Sequence, residues 1–343
     1  MIPSRDQFSG CLIGQCLADA LGFPVEGGLP GLCGPYAAEL RRYRSDNSQT
    51  WRIPWRPSFR PGQYTDDSQL AREWMQSYAD LKRFDPEDYA ARISSIFSEN
   101  RIVGRGLATD RAARRLAAGT SWQQSGDPKG NAGNGTAMRA APVGLVFGHN
   151  PSEMIRVSRE QSWITHQDQR CIAGSVAVAG AVALAVAPGP LKIDPWTRQL
   201  AEWVRPLDSL FADEILRLPG WTSLPPEQAV PLVAGAGAPN FNDGWKWISP
   251  YVTPSVLWSL YAFLRSPDSY WETVCTAIES GGDVDTTAAM AGAISGAHLG
   301  LSKLPLELAR QIHDMGTWGF GALVELAHRC HELAGQTGLC GPG

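Results

Sequence analysis

The chain has 343 residues, enough for one large domain or two ordinary ones and for a sizeable core. Hydrophobic residues make up 43% and charged residues 19%, which suits a soluble globular protein. The net charge of −4, from 30 basic and 34 acidic residues, excludes the broad basic field of a general nucleic-acid binder but leaves room for a small anionic ligand.

In chain order, the opening MIPSRDQFSGCLIG lacks a charged segment followed by a long apolar stretch, so no signal peptide is expected. Phe8 to Leu21 places Phe8, Leu12, Cys16 and Ala20 four residues apart, which predicts a helix. Gly22 to Pro35 is too rich in Gly and Pro for one. Ser45 to Tyr64 reads as a long loop. Its Arg52, Arg56 and Arg60 could meet phosphates and Trp51 or Trp55 could stack on a base, as in a lid; aromatic packing on the surface is the plainer reading. Helices are predicted at 67–78, with an acidic first turn, and at 86–97, with Pro then Glu and Asp at its start. Others follow at 106–118, 137–147, 152–163, 167–187, 195–213, 255–265, 269–279, 287–299 and 305–333. Pro188 to Pro239 carries one clear helix only.

Strand signals are scarce, so the fold class is all-α, a compact multi-helix bundle in a single domain over 1–343. The longest apolar run, Ser175 to Gly189, is shorter than the roughly 20 residues of a membrane span and reads as a buried core helix, with no membrane partner. Ala288, Gly292 and Gly296 share one helical face, where another backbone could come close; the Ala-rich 173–187 segment is the expected partner. The seven cysteines are odd in number and form no CxxC pair, which points to a reducing, cytoplasmic setting.

Two stretches concentrate carboxylates where a loop enters a helix: YTDDSQL, with Thr65, Asp66, Asp67 and Ser68, and GGDVDTT, with Asp283, Asp285 and Thr286. The plain reading is helix capping, since Asp, Ser and Thr favour first turns. A cap uses one side chain, however, and each cluster has more. Asp283 and Asp285 also precede a helix with almost no charge, which puts them near the core. Two like charges so placed force a carboxyl to take up a proton unless a cation joins them. Every donor here is an oxygen, with no Cys or His, which suits Mg²⁺, Mn²⁺ or Ca²⁺ rather than zinc. Four aspartates could hold two ions about 4 Å apart.

Other loops carry weaker signals. GNAGNGTAMRAAPVG, residues 130–144, could cradle an anion on backbone N–H groups, or be a plain turn. His166 in WITHQDQR and Glu26 in GFPVEGG would each pass for ordinary surface residues alone.

Taken in order, GCLIGQCLADALGFPVE, YTDDSQL, VGRG, GNGTAMRAAPVG, THQD and GGDVDTTAAMAGAISGAHLG resemble the ADP-ribosylglycohydrolase family, over residues 10 to 300. That resemblance implies an all-α fold around a binuclear Mg²⁺ centre, with Mn²⁺ as a substitute. It implies Thr65, Asp66, Asp67, Asp283, Asp285 and Thr286 as metal ligands, and Glu26 as the family's flexible-loop glutamate. Glu26, Asp66, Asp67 and Asp285 would then be the catalytic set. Gly104, Gly106, Asn134, Gly135, Met138 and His166 match loops lining the ADP-ribose cleft, with the Asn134–Gly135 backbone holding the pyrophosphate. The implied activity is hydrolysis at the anomeric carbon of the distal ribose, freeing ADP-ribose from an arginine, a serine or a small molecule. The implied partner is an ADP-ribosylated protein, with no nucleic acid. The alternatives are an inactive ADP-ribose-binding or crystallin-like structural protein of the same fold, and a Mg²⁺-dependent phosphohydrolase. Three departures stand out: Ala18 precedes Asp19 where Gly is frequent, Ser68 replaces a Thr, and the segment before Tyr64 is long.

Overall fold

The computed structural model describes residues 2–45, 60–237 and 247–337. Among them the regular structure is all α-helix with two short 3-10 turns, and β-pairing is limited to isolated bridges.

The helix Arg5–Gly22 starts on a reciprocal cap: the Ser4 hydroxyl accepts from the Gln7 N–H, and the Gln7 side chain accepts from the Ser4 N–H. From Phe8 to Gly22 every residue is buried. The stretch Arg5–Val25 is apolar enough to cross a membrane, yet 94% of its most apolar window lies inside the fold, as in a core helix. Its partner is the helix Val284–Leu299. A β-carbon on Gly296 would lie 2.0 Å from the Gly10 carbonyl oxygen, and one on Gly14 would lie 2.5 Å from the Gly292 carbonyl oxygen. One on Gly22 would lie 2.6 Å from Asp285 Cα.

This corrects the expected pairing with 173–187. The first helix carries Gly10, Gly14, Ala18 and Gly22, a small-residue stripe with the same four-residue step. Two such stripes let backbones approach where a β-branched surface could not. The helix Gln169–Ala185 does touch Val284–Leu299, but as a lesser neighbour; its own close approaches put Gly180 against Leu200 and Trp203, and Ala179 against Gly144.

Five more expectations change. Residues 22–35 are not loop throughout: a 3-10 turn spans Phe23–Val25, and the helix Pro30–Ser45 begins there and contains Pro35. Burial of Cys33, Tyr36, Ala37 and Leu40, a helical stripe, outweighs the poor propensity, and the Tyr36 hydroxyl donates to the Leu21 carbonyl. The expected 195–213 helix is two, Ile193–Val204 and Ser209–Ile215, broken at Pro206 and restarted by the Asp208 cap. The expected 305–333 helix is also two, Leu306–Ala309 and Phe320–Thr337. Between them Asp314 Oδ1 accepts from the N–H groups of Met315, Thr317 and Trp318, while Gly316 takes φ +96°. Finally, the expected 137–147 helix starts only at Ala141, and the 188–239 region holds further short helices such as Pro226–Ala234.

Cys11, Cys16, Cys33, Cys171, Cys275 and Cys330 are buried free thiols. Cys340, and Trp51, Arg52, Trp55 and Arg56 of the expected lid, lie outside the described residues. Arg60 is described and exposed.

Candidate active site

Both acidic motifs open helices: Asp66–Leu81 follows Thr65, and Val284–Leu299 follows Asp283. Neither helix has a side-chain cap hydrogen bond from Thr65 or Asp283, so the capping reading fails. Instead the two N-termini converge, and their carboxylates line the same cavity of about 430 Å³. Thr65, Asp66, Asp67, Asp283, Asp285 and Thr286 all face it, and all are at least nine-tenths buried. The helix ends give some favourable potential, too little for this many acids.

Burial first, then mutual repulsion, pushes the carboxyls up. Asp66 reaches about 6, with the Asp283 charge opposed by the Gly106 N–H and Arg139. Asp67 rises further through burial and the charges of Asp19, Asp66 and Asp283. Asp285 rises through burial, Glu26, Asp67, Asp283 and Asp19. Asp283 also rises through burial, against hydrogen bonds from Asn134 and Thr286.

The neighbours are arranged to hold the acids in place. Asn134 Nδ2 donates to Asp283 Oδ2 at 2.5 Å and to Ser255 Oγ at 2.8 Å. The Thr286 hydroxyl donates to Asp283 Oδ1 at 3.1 Å, and the Thr286 N–H to Asp285 Oδ1 at 2.9 Å. The VGRG loop wraps Asp66: the Asp66 N–H donates to the Val103 carbonyl at 2.7 Å, and the Gly106 N–H reaches Asp66 Oδ2 at 3.4 Å. Gly104 takes φ +73°, and a β-carbon there would lie 2.7 Å from Asp66 Oδ1.

Glu26 comes from a loop stapled to the second motif. The Gly27 N–H donates to the Gly282 carbonyl at 2.8 Å, and the Gly282 N–H to the Gly28 carbonyl at 2.9 Å. One oxygen each from Glu26, Asp283 and Asp285 fall within 4.8 Å of one another.

The same cavity is lined by the remaining expected residues: Gly104, Gly106, Asn134, Gly135, Met138 and His166. One expected detail changes. Of the expected Asn134–Gly135 pair, the Asn134 N–H already donates to the Pro250 carbonyl at 3.0 Å. The Asn134 side chain works on Asp283 instead. The loop ahead of it is set by two acids: Asp127 accepts from Asn131 Nδ2 at 2.6 Å, and Asp168 from the Gly130 N–H at 2.8 Å.

Reading the sequence missed a supporting layer on the first helix. Asp19 accepts from the Thr65 N–H and hydroxyl (the latter at 2.9 Å) and from the Ser68 hydroxyl at 2.6 Å. Gln15 Nε2 joins the Asp67 carbonyl at 2.9 Å to the Met138 carbonyl at 2.8 Å. The signal was there: Gln15 and Asp19 are polar residues four apart in a stretch, Gly10 to Gly22, that is otherwise apolar. Phe23 and Arg105, inside the first matched stretch and VGRG, also line the cavity, as do Leu107, Arg111 and Tyr251, which carried no sequence signal.

The donor set fits a hard divalent cation. All the converging atoms are oxygens, and Asp67 Oδ1 is buried with no hydrogen-bond partner. Ionising an acid whose oxygen is orphaned at that depth is costly unless a cation meets it.

The ADP-ribosylglycohydrolase family pattern matches residues 2–339. The chain belongs to the ADP-ribosylglycohydrolase family. It is 27% identical to human ADP-ribosylhydrolase ARH3, covering 88% of each chain. It is 26% identical to the ADP-ribosylarginine hydrolase Tri1 of Pseudomonas putida, covering 90% of this chain and 74% of the relative. A solved structure described as an ADP-ribosylglycohydrolase-related protein complex superposes with a TM-score of 0.66 at 24% identity, covering 96% of this chain and 98% of that one, which shows the shared fold.

Proposed function

We propose that this protein is a Mg²⁺-dependent hydrolase that frees ADP-ribose from a modified protein side chain or small molecule. The coarse activity, hydrolysis of a glycosidic bond to ADP-ribose, rests on the family and on the relatives described above. One observation carries the finer reading: acids from two motifs and Glu26 line a single cavity together with Asn134, Gly135 and His166. Its size lies in the usual range for sites that enclose a small ligand.

Thr65, Asp66, Asp67, Asp283, Asp285 and Thr286 would hold the cations. Bound there, Mg²⁺ would supply a grip on ribose hydroxyls and a lowered water pKa. The chain's own residues do the rest. Asp19 and Asn134 fix the directions of Thr65 and Asp283. Glu26 lies at the accessible side of the cluster, so it can accept a proton from the attacking water and release it to solvent. The bond broken joins the anomeric carbon to the leaving nitrogen or oxygen, through an oxocarbenium-like transition state. An arginine leaving group spreads its own charge, whereas a serine oxygen needs a proton.

The test is turnover of arginine-linked, serine-linked and acetyl-linked ADP-ribose, with and without EDTA. Free ADP-ribose from at least one of them, lost in EDTA and in folded Asp66→Ala and Asp285→Ala, is the expected result. Release of inorganic phosphate instead would make the protein a phosphohydrolase. Calorimetry showing no heat with Mg²⁺ or ADP-ribose would favour a structural role.

A further inference from the structure

Behind the cavity wall lies a fully buried cation that the proposed chemistry does not use. Arg139 has no exposed surface. Its Nε donates to Gln161 Oε1 at 2.8 Å, and its Nη2 to the Gln161 carbonyl at 2.8 Å and to Thr165 Oγ1 at 2.7 Å. Nη1 is buried without a partner, and the guanidinium lies over the Tyr89 ring. Burial of a guanidinium without a matched carboxylate is expensive, and such a group is seldom kept for packing alone.

What the cation touches next is the cavity histidine. Thr165 Oγ1 lies 2.9 Å from His166 Nδ1, and Thr165 is fully buried. A guanidinium has only donors, so the Thr165 oxygen must accept from Arg139. The hydroxyl then has one proton to place. Giving it to His166 Nδ1 satisfies both groups. The opposite arrangement, with a proton on Nδ1, strands the hydroxyl hydrogen in the core, at a penalty of about 1–3 kcal/mol. Burial and the Arg139 charge keep the ring neutral by lowering its pKa to about 3. With Nδ1 an acceptor, the ring proton sits on Nε2. That atom faces the glycine loop: β-carbons placed on Gly133 or Gly135 would each lie 3.5 Å from it.

We propose that Arg139 and Thr165 are positioning residues that lock His166 as the Nε2–H tautomer, presenting one neutral donor to an acceptor oxygen of the ligand in the cavity. This rests on the reading of that cavity as an ADP-ribose site. A neutral donor of fixed direction suits a phosphate or hydroxyl oxygen beside a metal-bearing cluster, where a cationic imidazolium would compete with the cations.

The test separates the relay from the ligand. Two-bond ¹H–¹⁵N correlation of the histidine side chains in the full-length, ligand-free protein reads the tautomer, with the His166 signal assigned by its loss in His166→Gln. Wild type and Thr165→Ser should show Nε2–H. Thr165→Val, nearly isosteric, should show a mixture or Nδ1–H. Calorimetry should then give ADP-ribose binding about fivefold weaker in Thr165→Val and unchanged in Thr165→Ser. An Nδ1–H ring in wild type overturns the proposal, as does a Thr165→Val ring identical to wild type. A tautomer that shifts while affinity does not also overturns it, because the donor then meets no ligand. Absence of ADP-ribose binding in wild type would instead sink the reading of the cavity, while the spectra would still report on the relay.

Discussion

Asn134 and Asp283, 149 residues apart, are joined by a hydrogen bond of 2.5 Å from the Asn134 amide to a carboxylate oxygen. The bond ties the glycine-rich loop to the second acidic motif and favours the ionised form of Asp283. Asn134→Ala should weaken Mg²⁺ binding about 10- to 100-fold, the usual effect of losing an outer partner of a ligand. Calorimetric titration of the ligand-free protein measures it. An unchanged affinity would remove Asp283 from the ligand set.

The raised carboxyls set how the metal-free protein responds to pH. Asp66 titrates near 6 and Asp19 near 7 in the fold, above ordinary carboxylates, because burial and neighbouring charge disfavour ionisation. A raised folded pKa contributes stability that is present below the unfolded value and lost as pH rises through the folded one. In EDTA, the melting temperature should therefore fall as pH rises from 4 to 7. Mg²⁺ should flatten that slope, adding about 2.7 kcal/mol at 100 times its Kd.

Asp66→Asn removes one of the repelling charges. It should raise the melting temperature in EDTA at pH 8 and abolish turnover in Mg²⁺. A variant that loses both stability and activity would mark Asp66 as a structural residue instead.

Asp127 answers pH in the other direction. Burial would raise its carboxyl, but Arg111, Arg115 and Asn131 outweigh that and hold it at about 2. Its contribution is present above the unfolded carboxylate range, near 3.9, and lost as pH falls toward 2. Asp127→Asn should blunt acid unfolding between pH 4 and 2 and should leave the EDTA-dependent slope at higher pH unchanged. Circular dichroism against pH, for both proteins, checks this.

The central helix pair has no room for side chains. Gly296→Ala would place a methyl 2.0 Å from the Gly10 carbonyl oxygen, so the helices must part. Denaturant unfolding should show a loss of about 3 kcal/mol or more. Gly321→Ala meets nothing within 4 Å and should be neutral or stabilise by up to about 1 kcal/mol.

Most helices were legible because their apolar residues recur at helical spacing and their caps are local. The breaks were not. The interruption before Phe320 depends on Asp314 gathering three N–H groups, with Arg72 paired to its other oxygen. The helix through Pro35 exists because tertiary burial rewards its stripe. The partner of the Val284–Leu299 helix was misread although Gly10, Gly14 and Ala18 show the matching step, since one stripe cannot say which other it meets.

The sequence by itself determined the residue types of the site: oxygen donors in excess of capping needs, placed at two helix starts, in an order the family shares. Those are properties of short stretches, where spacing along a helix dictates which side chains lie together. Only the tertiary structure decided that Glu26 joins Asp283 and Asp285, that Asn134 turns its amide rather than its backbone to the site, and that Asp19 and Arg139 stand behind it. Each of those depends on contacts between segments far apart in the chain, and no local pattern encodes the distance between them.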